Sequence, residues 1–127
     1  MPILDGIVTS GFGKGAIFLS LDYYKQQIKE KLGFIPYAGT LNVKTSKSKD
    51  SALKLLSHIR IDSLNKNGKK YGGASCYPAK ISDVSVAVII PDLTTHEQGI
   101  IEIIAPINLK SQLKIKDGDK IKVELSQ

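Results

Sequence analysis

Cysteine, tryptophan and arginine are almost absent from this chain, and two of these shortages exclude classes of protein. The 127 residues include one cysteine, no tryptophan and a single arginine, Arg60, beside seventeen lysines. One thiol cannot form an internal disulfide, which favours a reducing compartment and hence the cytoplasm. The scarcity of arginine argues against a protein that reads DNA base edges, because the bidentate guanidinium is the usual tool for that task.

Long apolar runs and a leader pattern are also missing. The longest apolar candidate, Ile100 to Ile107, is interrupted by Glu102 and is far shorter than the roughly 18 residues of a membrane-spanning helix. The first six residues have neither a basic region nor an apolar stretch, so we expect no secretory signal there and no membrane attachment. Hydrophobic residues make up 42% and charged residues 24% of the chain, which is ordinary globular usage. We expect one monomeric domain over residues 1–127.

Positive charge is concentrated in one part of the chain. The formal net charge is +6, and the excess lies in residues 41–70, where seven lysines and Arg60 face only Asp50 and Asp62. Such a segment is either a solvated, lysine-rich surface or a field that attracts phosphates or nucleic acid. The charge alone leaves both interpretations open.

Hydrophobic spacing predicts one helix and a series of strands. Apolar side chains recur at helical spacing from Leu21 to Leu32, Ser20 suits the N-cap, and Gly33 supplies the stop. Strands are predicted near residues 3–8, 16–19, 41–43, 71–82, 84–90, 100–105 and 121–125, with a short helix at 49–57 and a helical turn at 108–113 that Asn108 caps. Asp117-Gly118-Asp119 suggests a hairpin-type turn. The fold class is therefore mainly β with one or two helices, and a compact barrel is the natural architecture.

Three sets of residues have the chemistry of a site. The glycines of residues 11–15, with Lys14 among them, form either a tight connection or a loop whose amides cradle phosphate. Thr40 and Asn42 would share one face of a strand, as solvent-facing polar groups or as hard oxygen ligands for Mg²⁺. Glu102, isolated among isoleucines, either marks a solvated face or accepts a proton from an attacking hydroxyl in a cleft.

The remaining reactive side chains are less promising. Cys76 lies on a predicted strand and is expected to be packed in the core, not to act as a nucleophile. His58 and His96 are far apart in sequence, and neither has cysteine or carboxylate neighbours at the spacing of a metal site.

Several motifs together resemble the archaeal CTP-dependent riboflavin kinases. They occur in order at residues 10–15, 33–43, 71–81, 101–106 and 113–119, and the block Gly-Phe-Ile-Pro-Tyr-Ala-Gly-Thr-Leu-Asn is long and unusual. The resemblance implies a six-stranded cradle-loop β-barrel that transfers the γ-phosphoryl group of CTP to the ribityl hydroxyl of riboflavin, giving FMN and CDP, with Mg²⁺ as cofactor.

The resemblance also implies a role for individual residues. Thr40 and Asn42 would hold Mg²⁺, and Thr94 and Glu102 would contact the flavin, Glu102 also being the catalytic candidate. The nucleotide would contact two segments: Phe12, Gly13, Lys14, Gly15, Ala16 and Ile17, then Ile107, Asn108, Leu109 and Lys110. In the family the second segment commonly ends in arginine, and a lysine keeps the charge but loses the bidentate fork.

Two other functions are compatible with parts of the sequence. The net charge and the predicted turn at 117–119 are consistent with a nucleic-acid-binding barrel of the swapped-hairpin transcription-factor type, against which the lack of arginine argues. A flavin-binding module without catalysis is a further alternative, but such a carrier needs neither metal ligands such as Thr40 and Asn42 nor a phosphate-binding loop. We expect the kinase, with no nucleic-acid partner.

Overall fold

Six antiparallel strands close into a barrel, which confirms the fold class expected from the sequence. The structure is a computed structural model that describes residues 3–10, 21–45, 58–66, 68–92 and 99–126. Within these ranges the strands are β1 (Ile3–Thr9), β2 (Leu41–Thr45), β3 (Ile59–Ile61), β4 (Leu64–Lys66), β5 (Lys69–Tyr71), β6 (Ala74–Ile81), β7 (Val84–Pro91), β8 (Ile100–Ile104) and β9 (Lys120–Leu125). The helices are α1 (Asp22–Leu32) and α2 (Leu109–Gln112).

The barrel follows the strand order β6-β7-β8-β2-β1-β9 and closes where β9 pairs with β6. Closure uses Ala79 opposite Leu125 and Lys80 opposite Glu124. Strand β3 pairs with β6 outside the ring, and β4 and β5 form a separate two-stranded ribbon. Because the ring is closed, its six strands leave no unpaired edge to associate with another chain.

Two apolar clusters lie on opposite faces of the same strands. The interior of the barrel is filled by alternate residues such as Val43, Ile101 and Ile103. The outer face contributes Ile89 and Ile104 to a second cluster, which is covered by α1. Strands β7 and β8 are therefore buried on both faces, which explains why their sequences are almost continuously apolar.

The predicted helix is confirmed, with a correction at its start. Leu21 occupies the N-cap position without a side-chain hydrogen bond, so the assignment of Ser20 as the cap was wrong by one residue. At the other end Gly33 adopts a φ of +86°, and its N–H donates to the carbonyl of Lys29 at 3.1 Å. This left-handed stop is the one that glycine makes without steric cost. The strand predicted at 16–19 and the helix predicted at 49–57 lie outside the described residues.

The turn at 117–119 is not a hairpin, because α2 and not a strand precedes it. Its hydrogen bonds go to β1: the Gly118 N–H donates to the Val8 carbonyl at 2.8 Å, and the Val8 N–H donates to the Asp119 carbonyl at 2.9 Å. A tight hairpin does connect β6 to β7, through Ser82 and Asp83 at φ values of +47° and +67°. This hairpin was not predicted from the sequence, since neither residue is the glycine or asparagine that such a turn favours.

Gly6 permits the close approach of β1 and β2. A Cβ atom built there would lie 2.3 Å from Cγ1 of Val43 and 2.9 Å from the Lys44 carbonyl oxygen. We expect Gly6→Ala to lower the free energy of unfolding by about 3 kcal/mol, because neither the packed valine nor the backbone can move away freely. Gly39→Ala is the control, since its Cβ would only touch the Tyr37 ring at 3.4 Å. Urea titration checks this, and equal midpoints for the two variants would contradict it.

Candidate active site

Thr40, Asn42 and Glu102 meet where β2 pairs with β8. Asn42 and Glu102 are direct cross-strand partners, so their side chains leave the sheet on the same face. The hydroxyl of Thr40 donates a hydrogen bond to Oε1 of Glu102 at 3.2 Å. The exposed fraction is only 8% for Asn42 and 6% for Glu102. The structure therefore brings together three residues that the sequence had suggested separately.

The solvated-face interpretation of Glu102 is wrong. Glu102 does point away from Ile101 and Ile103, as alternation requires, but its own face is covered. Its cross-strand partner on β7 is Ile89, a member of the cluster beneath α1, and Ile104 on the same face of β8 is fully buried. The isoleucines two positions either side of Glu102 were the available signal, because a solvated face would carry polar residues there.

Thr40 and Asn42 could hold a hard cation beside Glu102. A hydroxyl and an amide carbonyl are oxygen ligands, which suit Mg²⁺ that retains waters and takes its other ligands from phosphate. Among the described residues, no cluster of three or more histidine, cysteine or carboxylate side chains is arranged to hold a metal. The residues thus fit an ion that arrives with a phosphate better than one enclosed by protein ligands alone.

A pocket of about 120 Å³ opens beside Thr40 and is walled on its far side by residues 107–110. The predicted helical turn is confirmed there: Asn108 caps α2 by accepting a hydrogen bond from the Ser111 N–H at 3.3 Å. The amide nitrogen of Asn108 donates to the Tyr37 hydroxyl at 3.2 Å, and the Tyr37 N–H donates to the Ala105 carbonyl at 2.7 Å. Tyr37 was missed as a site residue, although it lies inside the Pro-Tyr-Ala-Gly-Thr motif.

Lys110 lies at the end of this wall in an ion pair with Asp117. The two charged atoms, Nζ and Oδ1, are 2.8 Å apart. The other carboxylate oxygen, Oδ2, accepts a hydrogen bond from the Ser10 hydroxyl. Lys110, and to a lesser extent Ser10, lowers the pKa of Asp117 below its ordinary value, so the carboxylate is charged at neutral pH.

Comparison with known proteins agrees with this geometry. The family model for the CTP-dependent riboflavin kinase domain, whose description reads "Domain of unknown function DUF120", matches residues 8–125. The chain belongs to the CTP-dependent riboflavin kinase family.

Curated proteins named riboflavin kinase are similar over nearly the whole chain. The riboflavin kinase of Ignicoccus hospitalis is 46% identical over 123 residues, which is 94% of this chain and 69% of that protein. That of Methanosarcina acetivorans is 42% identical over 121 residues, 93% of this chain and 51% of that protein. The chain thus spans only about half the length of the Methanosarcina relatives.

Two sets of predicted contacts in this domain lie outside the described residues. These are the glycine loop from Phe12 to Ile17 and Thr94, so their roles remain predictions. The strand end before Thr94 is described: Arg60 binds both carboxylate oxygens of Asp92, at 2.8 and 2.6 Å. This forked hydrogen bond holds the pKa of Asp92 below its ordinary value.

Cys76 is packed in the core of this domain, as predicted. It is fully buried in the cluster beneath α1, and burial raises the pKa of its thiol to about 12. We expect iodoacetamide at pH 8 to leave the folded protein unlabelled, because the thiolate is the reactive form. Mass spectrometry should find alkylated Cys76 only after unfolding in urea. Fast labelling of the native protein would show that this cluster opens.

The described part of the fold contains no helix that is both long and apolar enough to span a bilayer.

Proposed function

We propose that this domain phosphorylates riboflavin, transferring the γ-phosphoryl group of CTP to the terminal ribityl hydroxyl and releasing FMN and CDP. The observation that carries the proposal is the Thr40–Asn42–Glu102 arrangement, in which Thr40 contacts Glu102 and also lines the pocket that residues 107–110 border. It occurs in a chain of the riboflavin kinase family, at the positions where the motifs predict metal, flavin and nucleotide contacts.

Thr40 and Asn42 act on the phosphate groups of the nucleotide. Thr40 and Asn42 would hold Mg²⁺ through their side-chain oxygens, and the ion neutralises the charge that accumulates on the phosphates during transfer. The hydrogen bond from Thr40 to Glu102 restricts both side chains. Thr40 therefore links the two proposed metal ligands to the carboxylate, and a displacement of Thr40 or Glu102 would disturb the other residue.

Glu102 serves the acceptor end of the reaction. Its carboxylate accepts the hydrogen bond of the ribityl hydroxyl and so aligns that oxygen with the phosphorus atom. In a loose transition state the nucleophile needs little prior deprotonation, so alignment matters more than basicity. Glu102 can then receive the proton once the new P–O bond has formed.

The nucleotide lies between the glycine loop and the pocket wall. Backbone amides of the loop bind the phosphates, and residues 107–110 border the base. The choice of CTP as donor rests on membership of the CTP-dependent riboflavin kinase family.

The proposal is tested by incubating the purified chain with riboflavin, Mg²⁺ and CTP, UTP, ATP or GTP in separate reactions. Chromatography should show FMN with CTP, less with UTP, and little with either purine nucleotide. Formation of FMN with ATP and not CTP would overturn the donor assignment alone. If no triphosphate yields FMN while riboflavin still binds, the domain is a flavin-binding module and the kinase proposal fails.

A further inference from the structure

The turn at residues 116–119 connects two segments of the nucleotide site that are far apart in sequence. Asp117 divides its carboxylate between them: Oδ2 accepts from the hydroxyl of Ser10, and Oδ1 accepts from Nζ of Lys110 at 2.8 Å. Ser10 directly precedes the glycine cluster, and Lys110 ends the wall of the pocket. One side chain thus contacts Ser10, two residues before the glycine loop of Phe12 to Ile17, and Lys110, which ends the second segment.

Backbone hydrogen bonds hold the turn against both neighbours. Towards β1, the N–H of Gly118 donates to the Val8 carbonyl at 2.8 Å. Towards α2, the N–H of Ile115 donates to the Lys110 carbonyl at 3.0 Å. Within the turn, the N–H of Lys116 donates to Oδ2 of Asp119 at 2.9 Å. The backbone that carries Asp117 is therefore anchored to both segments, so its side chain is presented from a fixed position.

We propose that Asp117 is a positioning residue for the nucleotide, holding Ser10 and Lys110 at the separation that a bound triphosphate requires. This inference rests on the proposed function. Asp117 itself does not bind the phosphates, because it carries the same sign of charge. It restricts the Lys110 side chain before the nucleotide binds, so that less of the freedom of that side chain is lost on binding.

The lysine at position 110 is consistent with this role. An ammonium group is a compact charge that is satisfied by one carboxylate oxygen, which leaves the second oxygen of Asp117 for Ser10. A guanidinium would favour both oxygens in a fork and would compete with the serine hydroxyl. The departure from the arginine that is common in the family therefore suits the three-residue contact.

Removing the charge of Asp117 discriminates between positioning and simple electrostatics. If Asp117 acted only through its field, Asp117→Asn would tighten the binding of an anionic nucleotide, because a nearby repulsive charge is lost. If Asp117 positions the two segments, the same variant weakens binding despite the more favourable field. The two mechanisms predict opposite signs.

The experiment measures binding of CTP with Mg²⁺ by calorimetry, riboflavin binding by flavin fluorescence, and steady-state kinetics. We expect Asp117→Asn to weaken CTP binding about 5- to 20-fold, as loss of a charge-assisted contact does. The KM for CTP should rise with kcat and riboflavin affinity nearly unchanged, and Asp117→Glu should recover part of the loss. Asp83→Asn is the matched control, an equal charge change in the exposed β6–β7 turn, where asparagine tolerates the positive φ.

Each outcome decides one question. Weaker CTP binding in Asp117→Asn, with the control like wild type, supports the positioning role, whereas unchanged or tighter binding overturns it. If Asp117→Asn does not fold, Ser10→Ala replaces it, with CTP binding expected to weaken about 3-fold; no change there also overturns the inference. If the wild-type chain binds no CTP at all, the proposed function has failed, and the Asp117 inference with it.

Discussion

Replacing Asn42 with alanine should lower kcat/KM for phosphorylation of riboflavin by roughly 10³-fold while leaving the barrel folded. The amide oxygen of Asn42 is one of two protein ligands assigned to Mg²⁺, and the charge that develops on the phosphates depends on that ion. Its loss removes stabilisation of the transition state that no neighbouring side chain replaces at the same position. The stability cost is smaller, about 1 kcal/mol, because Asn42 contributes little to the apolar clusters.

The measurement is turnover at increasing Mg²⁺ concentration, combined with circular dichroism of each variant. Asn65→Ala is the control: Asn65 is an exposed amide on β4, outside the barrel, and its removal should leave turnover unchanged. A shift of the Mg²⁺ requirement to higher concentration in Asn42→Ala would locate the defect at the metal. Turnover equal to wild type in a folded Asn42→Ala protein would remove Asn42 from the site.

Replacing Glu102 with glutamine should mainly weaken riboflavin binding, by about 1–3 kcal/mol, with a smaller effect on kcat. Glutamine preserves the volume of the side chain and a carbonyl that can accept from Thr40, so the local packing is retained. What it loses is the charged acceptor for the ribityl hydroxyl. Since phosphoryl transfer through a loose transition state needs little help from a base, we expect positioning to dominate.

Riboflavin affinity and kcat, measured on the same Glu102→Gln protein, separate the possible roles. A fall in kcat of roughly 10²–10⁴-fold with unchanged affinity would identify Glu102 as a general base and contradict the positioning role. Wild-type values for both would show that it has no part in the reaction. Glu124→Gln, an equal change at an exposed position of β9, should leave both quantities unaltered.

Sequence patterns predicted the structure correctly where the interactions behind them lie within one helix, strand or turn. The helix ends at Gly33 because glycine adopts a positive φ without strain, and this needs no tertiary context. The strand predicted at 121–125 is confirmed as β9, where Ile121, Val123 and Leu125 are buried and the residues between them are exposed. Asn108 was identified as a helix cap for the same reason: its hydrogen bond closes within four residues.

Signals failed where the environment of a residue comes from distant parts of the chain. Glu102 was open to interpretation as a solvated charge because its neighbouring isoleucines indicate a covered face but do not show that α1 and its apolar cluster are what cover it. The turn at 117–119 was predicted to form a hairpin, because its composition does not show which strand will hydrogen-bond to its backbone. That partner is β1, more than a hundred residues earlier.

The sequence by itself determined the mainly β class and the α1 helix, and it suggested the residue types proposed for the site: hydroxyl, amide and carboxylate. These follow from spacing, turn chemistry and motif, which are properties of neighbouring residues. Only the tertiary structure decided that Thr40 hydrogen-bonds Glu102, that Tyr37 holds Asn108, and that Asp117 joins Ser10 to Lys110. Apart from the contact between Asp117 and Lys110, these contacts span large separations in sequence, up to 107 residues. Such contacts form only when barrel closure and strand register bring the partners together, because the free energy that orders them comes from the packing of the whole barrel and not from their own segments.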